Sequence, residues 1–354
     1  MRPFIMLSYS ARITSYRSRL SGMSTVTITG LGHFHPPEVI PNEFFNELDI
    51  GSDADWVTDR VGIRSRCSVL SRAQLLRMRR GEATLQQLRD EGGILSIAEM
   101  SKNAWQLLET RLGRRPEVDM VLCGTSVPDF DIPANACTIA AEIGYEVASF
   151  DVNSACSSFI VNLHTARAFI TAGQAKSVAI FNPERYSMRM NYEDRASCVL
   201  FGDGCASANI VGGEASGFRV IDTVVESLPS KHDLIRMPVE KTFYQNGSAV
   251  QKFAITRTLE ITRGILDRNQ MSTDDVRYFV GHQANLRMVT SAASKMGFKD
   301  DQHLFNVDQF GNQGAAGAPA VLSMNWDRFK KGDIVAVAVV GSGLTWGAAL
   351  LEYQ

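Results

Sequence analysis

Along this chain, short solid runs of apolar residues alternate with stretches at helical spacing. "VDMVLCGTSV" (118–127) is an apolar run that ends in a polar loop, and "VRYFVGHQAN" (276–285) has the same shape. Such runs predict buried strands. After the first comes "SFDVNSACSSFIVNLHTARAFITAGQAKSVAIF" (149–181), and after the second "LFNVDQFGNQGAAGAPAVLSMNWDRFKKGDIVAVAVV" (304–340). Each holds a strand end, a loop of small residues, a helix, a glycine turn (Gly173; Gly332) and an apolar strand. Phe150-Asp151-Val152 matches Phe305-Asn306-Val307; Phe150 to Val178 is 28 positions and Phe305 to Ile334 is 29. The alternation predicts an α/β fold. The matched segments predict a pseudo-twofold internal duplication, with halves at 23–210 and 211–354. In this register Cys156 lies 6 past its phenylalanine and Asn312 lies 7 past its own. The two are expected at equivalent strand-to-helix junctions that face each other across the pseudo-axis.

One segment departs from this rhythm. Between Arg66 and Ile97, Leu70, Gln74, Leu75 and Met78 predict an amphipathic helix, and Leu85 and Leu88 predict another closed by Gly92-Gly93. Arg60 to Gly81 holds seven arginines and no acidic residue. The basic insertion over 70–95 reads as a solvated surface, as a docking face for an acidic partner, or as a lid over a tunnel. Residues 1–22 hold four arginines and no acid. They read as a transit-type segment or, preferably, as a leader ahead of a natural start at Met23, since "TVTITGLGHFHP" resembles a first strand and turn.

Composition narrows the function. The 354 residues are 45% hydrophobic, with 36 basic and 38 acidic side chains and a formal charge of −2. That balance argues against general nucleic-acid binding. No apolar run approaches the ~20 residues of a membrane span. The six cysteines, Cys67, Cys123, Cys137, Cys156, Cys198 and Cys205, show no CxxC pairing and no regular framework. Neither a metal site nor a disulfide scaffold is indicated, and reduced thiols in a cytoplasmic protein are expected.

Cys156 stands apart, because it sits where a strand stops and a helix begins. Free N–H groups and a partial positive charge at a helix start favour a thiolate, which attacks esters and thioesters. Cys123, Cys137, Cys198 and Cys205 lie in apolar or small-residue runs and read as core. His282, in "GHQANLRM", follows a strand end in the second half, whereas His33, His35, His232 and His303 lie in expected loops and His164 within a helix. In "NVDQFGNQGAAGAP" (306–319), glycines allow sharp turns beside the amide donor of Asn312. In "GSGLTWG" (341–347), a glycine turn offers backbone N–H groups to an oxyanion. Cysteine, histidine and asparagine also describe papain-like proteases, but those need no duplicated α/β core.

Seven motifs, in this order, resemble the thiolase superfamily and specifically β-ketoacyl-acyl carrier protein synthase III: "DWVTDRVGIRSR" (55–66), "IPANAC" (132–137), "DVNSACSS" (151–158), "DRASCVLFGDG" (194–204), "GHQANLRM" (281–288), "FGNQGAAGAP" (310–319) and "GLTWGAALLEY" (343–353). The resemblance covers most of 25–353 apart from 70–95. It implies a five-layered αβαβα homodimer that condenses acyl thioesters without cofactor or metal, on substrates carried by coenzyme A or phosphopantetheine. Cys156 would carry the acyl group. His282 and Asn312 would hold the enolate left by decarboxylation of a malonyl-type thioester. The backbone N–H groups of Cys156 and Ser342 would form an oxyanion hole, with Ser342 standing where the family has glycine.

By the same resemblance Trp56, Arg60, Arg195, Gly247, Ala284 and Asn285 would hold the pantetheine arm. Lys252, Arg287 and Lys295 would dock an acyl carrier protein. Ile132 would reach into the partner's acyl pocket, where the family often has an aromatic ring. The final glycine loop lacks the second cysteine of biosynthetic thiolases, and Asn312 replaces the second histidine of elongating synthases. The resulting expectation is a ketosynthase III-like enzyme of specialised fatty acid or polyketide biosynthesis. It would take a longer acyl chain, or join two carrier-bound β-ketoacyl chains as pyrone-forming synthases do. The alternative is acyl transfer to an oxygen or nitrogen acceptor without carbon–carbon bond formation.

Overall fold

Ten strands form one sheet in this computed structural model, which describes residues 25–354 except 214 and 240. The extension expected at 1–22 lies outside the described residues. The first half contributes β1 (Val26–Phe34), β2 (Met120–Cys123), β3 (Ala148–Asp151), β4 (Ser177–Glu184) and β5 (Gly204–Gly212). The second contributes β6 (Phe218–Ser227), β7 (Tyr278–Gly281), β8 (His303–Leu304), β9 (Ile334–Gly341) and β10 (Thr345–Tyr353). The order runs β8-β7-β9-β10-β6-β1-β5-β4-β2-β3, so each half repeats one five-strand arrangement. In each, the strand next to the outer edge (β2 or β7) pairs parallel with both neighbours and the remaining pairings are antiparallel. The halves join where β1 meets β6, at Thr27↔Arg219 and Ile28↔Phe218. The expected duplication is therefore present strand for strand. Its seam falls between the end of β5 at Gly212 and the start of β6 at Phe218; the boundary expected after residue 210 falls inside β5.

Helices repeat as well: α1 (Ile97–Leu112), α2 (Asn135–Glu142) and α3 (Ser158–Thr171) in the first half, α4 (Gly247–Arg268), α5 (Leu286–Met296) and α6 (Gly317–Met324) in the second. Local sequence sets their ends. Ser96 and Glu99 form a capping box at the start of α1, and Gly113 closes it at φ +65°, a left-handed conformation that glycine adopts without steric cost. α1 and α2 cover the outer face of the first half-sheet, and α4 and α5 that of the second. α3 packs on β4 and β5 of its own half and on β6 and β10 of the other; α6 packs on β1 and β5 as well as β7. These two helices form the middle of five layers. β4 ("SVAIFNPE") is buried along its whole length and β9 ("IVAVAVVG") nearly so. Strands covered on both faces read as unbroken apolar runs rather than as alternation.

The 70–95 insertion folds as two short helices, Arg72–Arg79 and Leu85–Glu91, each opened by a capping box and anchored by buried Leu75 and Leu88. Its arginines do not form a bare basic face. Arg72 pairs with Glu47, Arg77 with Glu91, Arg79 with Glu193 and Arg80 with Glu82. Carboxylates distant in sequence neutralise what looked like a run of one sign. Two smaller expectations also fail. Cys137 is exposed, because it lies on the outer side of α2. His33 and His303 lie in β1 and β8, not in loops.

Candidate active site

The nucleophile position arises from a sharp junction. β3 ends at Asp151, and a single 3-10 turn, Ala155–Ser157, feeds directly into α3. Ala155 is held at φ +46°, a conformation unusual for a residue with a side chain. Ser154 and Ser158 brace the turn: the Ser158 hydroxyl accepts from the Ser154 N–H at 2.8 Å and donates to the Ala155 carbonyl at 2.7 Å. Cys156 is thereby presented at the head of α3, as the sequence indicated.

The second half has the same turn at Gly314–Ala316, leading into α6, and Gly314 is likewise at positive φ (+54°). The structural counterpart of Cys156 is therefore Ala315. Asn312 lies three residues earlier, so the register expected between Cys156 and Asn312 is corrected. An extra turn of helix, Val307–Phe310, lengthens this loop and carries Asn312 forward. Gln283 ties that loop to the end of β7, its side-chain oxygen accepting from the N–H groups of Asn306 (3.0 Å) and Val307 (3.3 Å).

Cys156, His282 and Asn312 line one cavity of about 460 Å³ at the junction of the halves. Asn312 is buried; its N–H donates to the Leu200 carbonyl, and its Oδ1 accepts from the Gly314 N–H at 2.9 Å. With the oxygen held this way, Nδ2 is the end left to donate. His282 follows β7 directly. Burial drives its pKa down to about 4, so the ring is neutral at physiological pH, and Nδ1 is buried without a partner. A neutral imidazole offers one donor and one acceptor.

The thiol does not behave as expected. Burial, then the nearby Glu184 carboxyl, push Cys156 up to about 12, although the Tyr186 hydroxyl and its own backbone N–H oppose the rise. Desolvation outweighs the helix start, and the resting group is a thiol rather than a thiolate.

The other expected residues divide. Trp56, Arg60, Arg195, Gly247, Ala284 and Asn285 all line the same cavity, as does Arg287. The Arg195 guanidinium lies 5.1 Å from the Trp56 ring centre and also donates to the Gly51 carbonyl. Arg287 donates to the Asp59 carbonyl at 3.1 Å. Lys252 and Lys295 are exposed on α4 and α5, outside the cavity wall. Ile132 is 85% exposed and Phe130 55%, on a loop that does not line the cavity. Ser342 lines a smaller cavity with Cys156, and its hydroxyl is tied to the Ile235 carbonyl at 2.8 Å.

Sequence reasoning missed a buried polar chain behind the thiol. The Tyr186 Oη lies 3.8 Å from Cys156 Sγ and donates to Ser126 Oγ at 2.9 Å. Ser126 donates to Glu184 through its N–H (2.9 Å) and its hydroxyl (3.2 Å). Burial raises the Glu184 carboxyl to about 8. The available signal was a glutamate closing an otherwise apolar strand, at the place where β9 has Gly341. Among the described residues no cluster of side chains could hold a metal ion, and no helix is long and apolar enough to cross a membrane.

Comparison with known proteins supplies the context. Residues 150–229 match the family described as 3-oxoacyl-[acyl-carrier-protein (ACP)] synthase III, and residues 266–353 match the family described as 3-oxoacyl-[acyl-carrier-protein (ACP)] synthase III C terminal. The chain is 30% identical over 343 residues to a β-ketoacyl-[acyl-carrier-protein] synthase III of Aliarcobacter butzleri, covering 91% of this chain and 96% of that one. It is 30% identical over 348 residues to the protein of that name from Clostridium acetobutylicum, covering 94% and 99%. The crystal structure of 3-oxoacyl-[acyl-carrier-protein] synthase III from Aquifex aeolicus superposes with a TM-score of 0.82 at 27% identity, covering 93% of this chain and all of that one.

Proposed function

The chain belongs to the β-ketoacyl-[acyl-carrier-protein] synthase III family, and from that premise we propose that it condenses acyl thioesters through an acyl group held on Cys156. One observation carries this reading: a thiol from the first half and an imidazole and an amide from the second line a single cavity. Cys156 Sγ attacks the thioester carbonyl and the carrier's sulfur leaves. The thiol proton passes to the departing sulfur, with neutral His282 as the group able to carry it, so no net charge is created in the dry site. The backbone N–H groups of Cys156 and Ser342 receive the carbonyl oxygen during attack.

A malonyl-type thioester then loses carbon dioxide. The His282 ring and Asn312 Nδ2 donate to the resulting enolate oxygen. Both are neutral donors, which stabilise the anion without protonating it outright. The carbanion attacks the acyl-Cys156 carbonyl, a carbon–carbon bond forms, and the cysteine sulfur leaves and regains a proton. Trp56, Arg60 and Arg195 suit a phosphopantetheine arm, since a cation stacked on an indole offers apolar surface and positive charge together. Arg287, with Lys252 and Lys295 farther out, suits an acidic carrier protein. Exposed Ile132 and Phe130 suit contact with a second copy of the chain.

The test follows intact-protein mass and released carbon dioxide with acyl and malonyl thioesters. An adduct on the wild-type protein, absent in Cys156→Ala, is expected. Asn312→Ala should still acylate but lose decarboxylation by about 10²–10³-fold. Acylation without carbon dioxide release in the wild type would return the alternative, transfer to an oxygen or nitrogen acceptor.

A further inference from the structure

Cys156 also lines a second cavity, of about 180 Å³, with Ser126, Tyr186, Met237 and Phe243 among its walls. The larger cavity carries Trp56 and the arginines suited to the carrier arm. On the acyl-enzyme reading above, the carbons of the acyl group therefore extend into the smaller one. A side-chain hydroxyl within reach of the sulfur there is that of Tyr186, at 3.8 Å.

The chain behind that hydroxyl sets its direction. Above about pH 8 Glu184 is ionised and its carboxylate only accepts; it then takes the Ser126 N–H at 2.9 Å, the Ser126 hydroxyl at 3.2 Å and the Ala315 N–H at 3.3 Å. The Ser126 proton is thus directed at Glu184, which leaves Ser126 Oγ to accept the Tyr186 proton at 2.9 Å. With Glu184 ionised, Tyr186 shows the cavity an acceptor, and before acylation the Cys156 S–H is placed to fill it. Acylation removes that S–H. A buried oxygen loses its partner, a loss that costs free energy unless the incoming group replaces it. A plain alkyl chain cannot replace it, but a hydroxyl can. The third acyl carbon lies far enough from the sulfur for a hydroxyl on it to fold back to Tyr186.

We propose that, with Glu184 ionised, the acyl group preferred by Cys156 is short and bears a hydroxyl at its third carbon, and that Tyr186, directed by Ser126 and Glu184, is the specificity-determining residue that accepts from it.

The full-length protein is offered equal butyryl-CoA and 3-hydroxybutyryl-CoA at pH 9, where a carboxyl titrating at about 8 is ionised. Intact mass counts the two adducts. The hydroxylated adduct should form about tenfold faster in the wild type, and Tyr186→Phe should bring the ratio to about one. Glu184→Gln removes the ionised acceptor behind Ser126, so the preference for the 3-hydroxy thioester should shrink toward one. Equal adducts in the wild type, or a preference that survives Tyr186→Phe, would overturn the proposal while leaving the acyl-enzyme intact. If no thioester labels Cys156, the acyl-enzyme reading falls and this proposal with it. Should Tyr186→Phe fail to fold, the wild-type ratio and its loss in Glu184→Gln decide.

Discussion

The two halves end equivalent strands in opposite ways. β4 closes on Glu184, and its carboxyl accepts the N–H of Ala315 in the turn that begins α6. β9 closes on Gly341, which lies against the turn that begins α3 and has no side chain to offer. A Cβ there would sit 2.7 Å from Ser157 N and 2.9 Å from Ser154 O. Duplication thus produced two helix starts, each able to hold an anion. One is met by the protein's own carboxyl, and the other, beside Cys156, is met only by the backbone of Gly341. The halves share a fold, and the thiol stands on the copy whose helix start meets a strand end without a side chain.

The strongest way to break this contrast is to fill the bare side. Gly341→Ala should displace the Cys156 turn and slow acylation by about 10²-fold or more, the scale of losing an oxyanion donor. Acylation kinetics by intact mass, with a thermal melt to check the fold, would measure it. An unchanged rate would mean that the empty strand end is incidental.

A smaller effect is expected at the filled side. Burial holds the Glu184 carboxyl at about 8, well above the ordinary 4.5 of a glutamate. The folded state therefore binds the extra proton between those values. This contribution to stability is complete below about 4.5 and is lost as pH rises through 8. The Tm should fall as pH rises across that window, and Glu184→Gln should fall less. Parallel curves would show that the carboxyl has no such burden.

The least effect is expected far from both turns. Arg72, Arg77 and Arg79 already face carboxylates at the surface, where such pairs contribute little. Replacing all three with alanine should leave carrier-protein affinity within about twofold, measured by titration at two salt concentrations. A large salt-dependent loss would restore the docking role that the sequence suggested for this helix.

The positions of Cys156 and His282 were legible because each follows a strand end marked by an apolar run, Asn312 because it lies in a glycine-rich loop, and the repeat of those runs exposed the duplication. The register between Cys156 and Asn312 was not legible to the residue. The extra helical turn at Val307–Phe310 shows no strong periodicity, so counting from Phe305 ran three positions ahead of the true counterpart, Ala315. The protonation of Cys156 was misjudged for a different reason. A helix start is visible in sequence, whereas the burial that opposes it depends on Tyr186, Glu184 and Phe243, which come from elsewhere in the chain. The pairing of the insertion's arginines failed likewise, since Glu47 and Glu193 are remote in sequence from Arg72 and Arg79.

The middle layer carries a historical consequence. α3 and α6 each rest on strands of both halves. One copy alone would leave an entire greasy side of sheet and helix facing water, so an ancestral single-length chain could persist only mated to its twin. Joining the twins in one gene ended their obligation to stay identical, and a lone sulfur on one side could then evolve opposite an imidazole and an amide on the other.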